Sequence, residues 1–387
     1  MKKVLFVLPS LGVGGLERVL VTFANLFAGA GYDVTVLTFD DGQALASELL
    51  PSVRFVHKKP KPHPIGKRIP YIRHRFYDDG LWETRASAKR LYNYYVGKEK
   101  YDVEIAFFRG RSVKIVSGSD NPDSIKLAWV HNDYSVCGGV TANFKNEKLL
   151  KKAYDAFDCV IPVSLLAAEK FRERIGFSGL VRTVYNPIPI KEIVEKSSAP
   201  CPQVKKGFTI VGVGRLVDAK GFDRLIEAFD YAVKRTGREC ELWIVGGGEK
   251  QESLAKQIAD LNLKNVFLLG ARTNPFPFMA QADLIVCSSR FEGFNLTVAE
   301  GLSLGKPVLS TNCTGPTEIL KNGEYGLICE NSTKGLQTAL TDILSDPEVL
   351  LPLKGKAADR AKDFDQGRIM GRLEELLNEL QKEREGA

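Results

Sequence analysis

Twice in this chain an apolar run passes straight into glycines. "VLFVLPSLGVGG" covers Val4–Gly15, and "FTIVGVGRL" covers Phe208–Leu216. After the first run, Leu16, Val19, Leu20, Phe23 and Phe27 fall at helical spacing; after the second, a helical pattern begins at Phe222. A strand, a glycine turn and a helix are the opening of a βαβ unit, and such units impose a parallel sheet with helices on its faces. The repeated theme predicts an α/β chain built from two Rossmann-like domains in tandem.

The remaining apolar runs supply the other strands. In the first half they are Asp33–Phe39, "VRFV" near Ser52, "VEIAFF" from Val103, "KLAWV" before His131, "CVIPV" from Cys159 and "VRTVY" from Val181. In the second half they are Glu241–Gly248, Asn265–Gly270, Asp283–Ser289, "PVLST" and "YGLICE". The stretch from Asn186 to Gly207 breaks the rhythm with prolines, serines and lysines, as an interdomain connection does. The expected organisation is a first domain over 1–190, a linker over 191–207, a second domain over 208–362, and a C-terminal amphipathic helix over 363–387 that folds back toward the first domain. Ligands of such sheets bind outside the carboxyl ends of the strands, so two sheets facing each other would enclose a cleft.

Hydrophobic and charged contents of 44% and 26% belong to a globular chain rather than a disordered one. No apolar stretch reaches the ~18–20 residues of a membrane span. Two lysines before the first apolar run imitate a short signal peptide, but no small-residue cleavage site follows, and the run reads as a first strand. The seven cysteines form no C-x-x-C pair and read as reduced core residues of a cytosolic protein. The net charge of +7 is uneven: Arg54, Lys58, Lys59, Lys61, Lys67, Arg68, Arg73 and Arg75 occur in one stretch without an acidic residue. Residues 54–75 are therefore expected to meet an anionic membrane surface or an anionic acceptor. Nucleic acid is not expected, because no binding motif accompanies the patch.

The chemistry concentrates in the second half. Glu292 follows a strand end, and Glu300 lies on the next helix. A helical rise of about 1.5 Å per residue separates the two carboxylates by roughly 10 Å, too far for the pair of a retaining glycosidase. The helix N-terminus between them, at Leu296 and Thr297, offers N–H groups to an anion. Arg215 and Lys220 follow the Phe208–Val213 strand, and both suit a diphosphate.

With these elements in order, the chain resembles glycosyltransferase family 4, the retaining enzymes of GT-B fold that assemble polysaccharides and glycolipids. The matching motifs are "GVGGLER" from Gly12, "WVHND" at Trp129–Asp133, "VYNPI" at Val184–Ile188, "GRLVDAKGF" from Gly214, and the Glu292/Glu300 pair. The resemblance implies transfer of a hexose-type sugar from a nucleotide-diphosphate sugar, with UDP as the expected carrier, and no metal or other cofactor. Arg215 and Lys220 would hold the diphosphate, Glu300 the ribose, and Glu292 the sugar hydroxyls near the reacting carbon. Gly293, Phe294, Asn295, Leu296 and Thr297 would close on sugar and phosphate, Gly14 and Gly15 would let donor and acceptor approach, and His131 would contact the donor sugar. Arg272 is a candidate for a position near the base. The catalytic set is thus Glu292, His131, Arg215 and Lys220.

The acceptor is expected to be a glycan, linked to a polyprenyl diphosphate at the inner membrane face, which would make the protein cytoplasmic and peripheral. Asp363-Phe364-Asp365 is a literal Asp-x-Asp, the metal motif of another transferase class, but Asp365 reads as a helix N-cap. Three alternatives remain: a nucleotide-sugar epimerase of the same architecture, a dinucleotide oxidoreductase, and a catalytically silent partner subunit of a transferase.

Overall fold

The computed structural model describes residues 1–60, 81–136 and 138–386. Two compact units divide it. The first is Met1–Tyr185 together with Met370–Ala387, and the second is Asn186–Ile369.

The first unit holds six parallel strands: β1 (Lys3–Leu8), β2 (Asp33–Thr38), β3 (Arg54–His57), β4 (Val103–Ala106), β5 (Ile125–Val130) and β6 (Cys159–Pro162). Their order across the sheet is β3-β2-β1-β4-β5-β6. The central strands are covered on both faces: Val4, Phe6, Val7 and Leu8 of β1 are fully buried. That explains why they read as unbroken apolar runs rather than as alternating ones. Helix Gly15–Gly29 lays Val19, Leu20, Phe23, Ala24 and Phe27 on the sheet, and Gly31 after it takes a φ of 88° that favours glycine. Phe23 and Phe107 pack against Trp129, with ring centroids 5.1 and 5.3 Å from the indole.

The second unit repeats the design with β7 (Phe208–Val213), β8 (Cys240–Val245), β9 (Val266–Leu268), β10 (Leu284–Cys287), β11 (Val308–Thr311) and β12 (Leu327–Cys329). All are parallel, in the order β12-β11-β10-β7-β8-β9. Glycines bring the loops at the carboxyl ends together. Gly246 N–H donates to Gly270 O at 2.9 Å, and a Cβ on Gly246 would fall 1.8 Å from Gly214 O.

Three stretches differ from their sequence expectation. The run at Val181 makes one isolated bridge to Val160, not a strand. Val160 N–H donates to Leu180 O and Arg182 N–H donates to Val160 O, but Pro162 has no N–H to make the next bond. Within the proline-rich connection, Ile190–Ser197 form a helix in the second unit, with Ile193 buried. Of the basic stretch, Arg54 pairs with Glu99 at 2.5 Å, Lys59 with Asp41 at 2.8 Å, and Lys58 donates to Tyr94 O, so these three charges are bound within the first unit. Lys61, Lys67, Arg68, Arg73 and Arg75 lie outside the described residues, as does Cys137; the other six cysteines are free thiols.

Candidate active site

In the second unit, β7 and β10 are neighbours from which the chain leaves in opposite directions across the sheet. Such a topological switch point leaves a crevice at the strand carboxyl ends. β7 runs out into Gly214 and Arg215, then a short turn, Asp218–Lys220. β10 runs out into Ser288–Asn295 and the helix Leu296–Ser303.

These two loops are bolted together. Ser288 Oγ donates to Lys220 O at 2.9 Å, and Arg290 N–H donates to Ala219 O at 2.8 Å. The Arg290 guanidinium holds Asp218 O at 2.7 Å and both carboxylate oxygens of Asp223 at 2.9 and 2.6 Å. Against this frame, Lys220 Nζ lies 2.5 Å from Glu292 Oε1. Burial alone would lower the Lys220 pKa, but the Glu292 carboxylate more than offsets this and holds it above the ordinary lysine value.

Glu292 Oε1 also accepts from Ser289 Oγ at 2.7 Å and from Asn295 Nδ2 at 3.1 Å. All three donors converge on one oxygen. Asn295 works in two directions: its Oδ1 caps Val298 N–H at 3.1 Å, and its Nδ2 reaches Cys287 Sγ at 3.1 Å besides Glu292. It does so with φ 104° and ψ 97°, a strained backbone for a residue with a Cβ. The Asn295 cap leaves the Leu296 and Thr297 N–H groups to other acceptors, which is the arrangement that favours an anion at a helix N-terminus. Thr297 Oγ1 donates to Val213 O at 3.1 Å and pins that helix to the end of β7. From the other side Gly315 supports the loop. Its N–H donates to Glu292 O at 3.2 Å, and a Cβ there would lie 2.4 Å from Phe294 Cα.

The structure thus brings together Lys220, Glu292 and Asn295 in direct contact, with Gly293 and Phe294 in the same loop. Arg215 is exposed and acts on Lys220 as a neighbouring positive charge. Glu300 is half-buried farther along the same helix. Arg272 is exposed and turned to its own loop, donating to Leu269 O at 3.0 Å. Asp363 and Asp365 are engaged structurally. Asp363 takes Arg360 at 2.7 Å and Arg368 at 2.8 Å, and Asp365 accepts from Gly367 N–H at 3.0 Å.

His131, Gly14 and Gly15 belong to the first unit. His131 follows β5 with its ring 4.6 Å from that of Phe107. Burial depresses its pKa to about 3, so it is neutral at pH 7, and its buried Nε2 has no partner among the described residues. Gly14 precedes helix Gly15–Gly29, whose N-terminus is already faced by the Glu17 carboxylate: a Cβ on Gly14 would lie 2.2 Å from Glu17 Oε2. Ser289 and Cys287 were not singled out from sequence. Ser289, three residues before Glu292, was legible only as a small polar residue at a strand end.

Residues 194–362 match the family described as glycosyl transferases group 1. Those residues make up most of the second unit, which is a group 1 glycosyltransferase domain. This glycosyltransferase is 25% identical over 383 residues to an uncharacterized glycosyltransferase of Haemophilus influenzae, covering 97% of this chain and all of that one. It is 26% identical over 378 residues to the N-acetylgalactosamine-N,N'-diacetylbacillosaminyl-diphospho-undecaprenol 4-alpha-N-acetylgalactosaminyltransferase of Campylobacter jejuni, covering 95% and 97% of the two chains. Among solved structures, Anabaena HepE in complex with UDP and glucose superposes with a TM-score of 0.75 at 20% identity, over 98% of this chain and all of the other. Two parallel six-stranded sheets with helices on their faces place the glycosyltransferase in the GT-B class.

Proposed function

We propose that this glycosyltransferase moves a hexose-type sugar from a UDP-sugar to a lipid-linked glycan acceptor, with retention of anomeric configuration and without a metal ion. The observation that carries the reading is the Lys220–Glu292–Asn295 cluster at the switch point of the second unit, with Arg215 beside it. A paired lysine and carboxylate there suit a ligand that carries both negative charge and hydroxyl groups. Lys220 and Arg215 neutralise the departing diphosphate, and the N–H groups of Leu296 and Thr297 add to that charge stabilisation. Glu292 Oε1 is held by its three donors, and Oε2 receives the sugar hydroxyls. Glu300 binds the ribose. On this reading no carboxylate serves as a covalent nucleophile, so the acceptor hydroxyl attacks an oxocarbenium-like centre on the face from which the diphosphate leaves.

Two comparisons support the donor and acceptor classes. HepE was solved with UDP and glucose, and the Campylobacter relative is named for transfer to a diphospho-undecaprenol-linked sugar with an alpha linkage. On this reading the first unit receives the acceptor and the protein works peripherally at the cytoplasmic face of a membrane. No helix among the described residues is long and apolar enough to cross one. Family 4 is the numbered family we assign.

The test is isothermal titration of the purified protein with UDP, UDP-sugars and GDP-sugars in excess EDTA, alongside Arg215→Ala and Glu300→Ala. Micromolar binding of one nucleotide class that both substitutions abolish supports the reading. Binding that needs metal, or that ignores both substitutions, removes it.

A further inference from the structure

The first unit has a switch point of its own. β1 and β4 are adjacent, and the chain leaves β1 for β2 on one side and β4 for β5 on the other. The loop after β1 and the loop after β4 border the crevice, joined at its base where Phe107 N–H donates to Val7 O at 2.9 Å. The corresponding crevice of the second unit holds Lys220. The question is which cation serves here.

The loop after β1 brings no cation: Pro9 to Gly15 carries no charged side chain. Nor is the helix that follows it open to an anion, because Glu17 already faces its N-terminus. Arg111, after β4, is committed. Its Nη1 lies 2.7 Å from Asp40 Oδ1, and its guanidinium covers the Phe39 ring at 4.6 Å. Arg109 is different. Among the described residues it has no ion-pair partner within 4.0 Å, its Nη1 is buried without an acceptor, and its guanidinium stands 5.5 Å from the ring of its neighbour Phe108. A guanidinium nitrogen shut off from water without an acceptor is kept at a cost, and the planar fork it belongs to matches phosphate oxygens in pairs.

A second unfilled atom lies close by. His131 Nε2, after the adjacent strand β5, is also buried without a partner, and Phe107, two residues before Arg109, packs on the His131 ring. The other ring nitrogen is engaged by the Phe107 backbone, so Nε2 is the nitrogen open to a ligand. Two adjacent strands therefore end in a guanidinium and a neutral imidazole, each with one buried nitrogen that has no hydrogen-bond partner among the described residues.

We propose that Arg109 is an anion-binding residue of the acceptor site, its guanidinium gripping a phosphate or diphosphate ester carried by the acceptor at the switch point between β1 and β4. The proposal rests on the reading of the first unit as the acceptor unit. It assigns the acceptor's anionic group to a residue none of the sequence motifs contains.

The experiment titrates full-length protein, saturated with UDP to block the donor phosphates, with farnesyl diphosphate and with inorganic pyrophosphate. Arg109→Ala and Arg109→Lys are compared with wild type, and UDP affinity and melting temperature are measured for each. Farnesyl diphosphate and pyrophosphate should both bind wild type, Arg109→Ala should weaken both at least tenfold, and Arg109→Lys should recover part of the loss. UDP affinity should stay within twofold, and the melting temperature should not fall, because no protein contact of the Nη1 atom is lost. Pyrophosphate binding without farnesyl diphosphate binding would assign the site to a free anion and overturn the proposal. So would unchanged affinity in Arg109→Ala, or an equal loss for UDP, which would give Arg109 to the donor. If UDP itself fails to bind, the donor reading fails separately, and the same titrations without UDP still decide the Arg109 site.

Discussion

Lys220 Nζ stands 2.5 Å from Glu292 Oε1, although the two residues come from the ends of different strands, 72 positions apart. Both side chains are largely shielded, at 22% and 15% exposure, so neither charge is well solvated without the other. Lys220→Ala and Glu292→Gln should each lower kcat by about 10²-fold or more. The double variant should lose less than the product of the two, with a coupling of about 1–3 kcal/mol. A double-mutant cycle on kcat and on urea unfolding measures it; strictly multiplicative losses would show that the pair is not a unit.

Asn295 combines a helix cap, a hold on Glu292 and a left-handed backbone. Asn295→Ala loses all three side-chain hydrogen bonds and keeps the strain, whereas Asn295→Gly loses the bonds and relieves the strain. Urea unfolding should place Asn295→Ala about 1 kcal/mol below Asn295→Gly. Activity should fall in both variants, because each frees Glu292 from one of its donors. Equal stability of the two would mean that the backbone there carries no strain.

Gly246 leaves no room for a methyl group, since the Cβ would sit 1.8 Å from Gly214 O. Gly246→Ala should push the loop after β7 away from the loop after β8 and destabilise the second unit by roughly 2–4 kcal/mol. Thermal unfolding reads the loss. UDP binding should weaken with it, because Arg215 directly follows Gly214.

Burial holds the His131 pKa near 3, below its unfolded value of about 6.5. A depressed pKa means that the unfolded chain takes the proton first. The stability His131 contributes is complete above about pH 6.5 and is lost as pH falls toward 3. Between pH 7 and 5 this amounts to about 1–2 kcal/mol. Urea titrations at both pH values should show a wild-type loss that His131→Gln reduces; an unchanged slope would mean that His131 is solvated.

Much of this was legible in the sequence because parallel strands buried on both faces leave an unmistakable trace. Val4–Leu8 and Phe208–Val213 read as strands for that reason, and Lys220 and Glu292 were legible as charges placed at strand ends. Their bond to each other was not, because contacts between loops far apart in sequence follow from strand order, which apolar runs do not encode. The helix at Ile190–Ser197 was hidden by the prolines before and after it. The failed strand at Val181 turns on its partner, Pro162, a residue in another run. Arg109 is one of 54 lysines and arginines, and what sets it apart, a buried unpartnered nitrogen on a side chain with no ion pair among the described residues, shows only in three dimensions.

The C-terminal helix Gln366–Glu385 starts in the second unit, and from Met370 onward it belongs to the first, where Arg384 holds both oxygens of Asp158 at 2.7 Å. The second unit is therefore one uninterrupted length of chain, and the first is split around it. On the ribosome the whole sequence of the second unit is made before Met370 and the residues after it, so the first unit must wait for its closing helix until the second is already complete. Of the two, the unit that begins first is the one that finishes last, and a stop codon at position 370 would leave the second unit whole and the first without its closing helix.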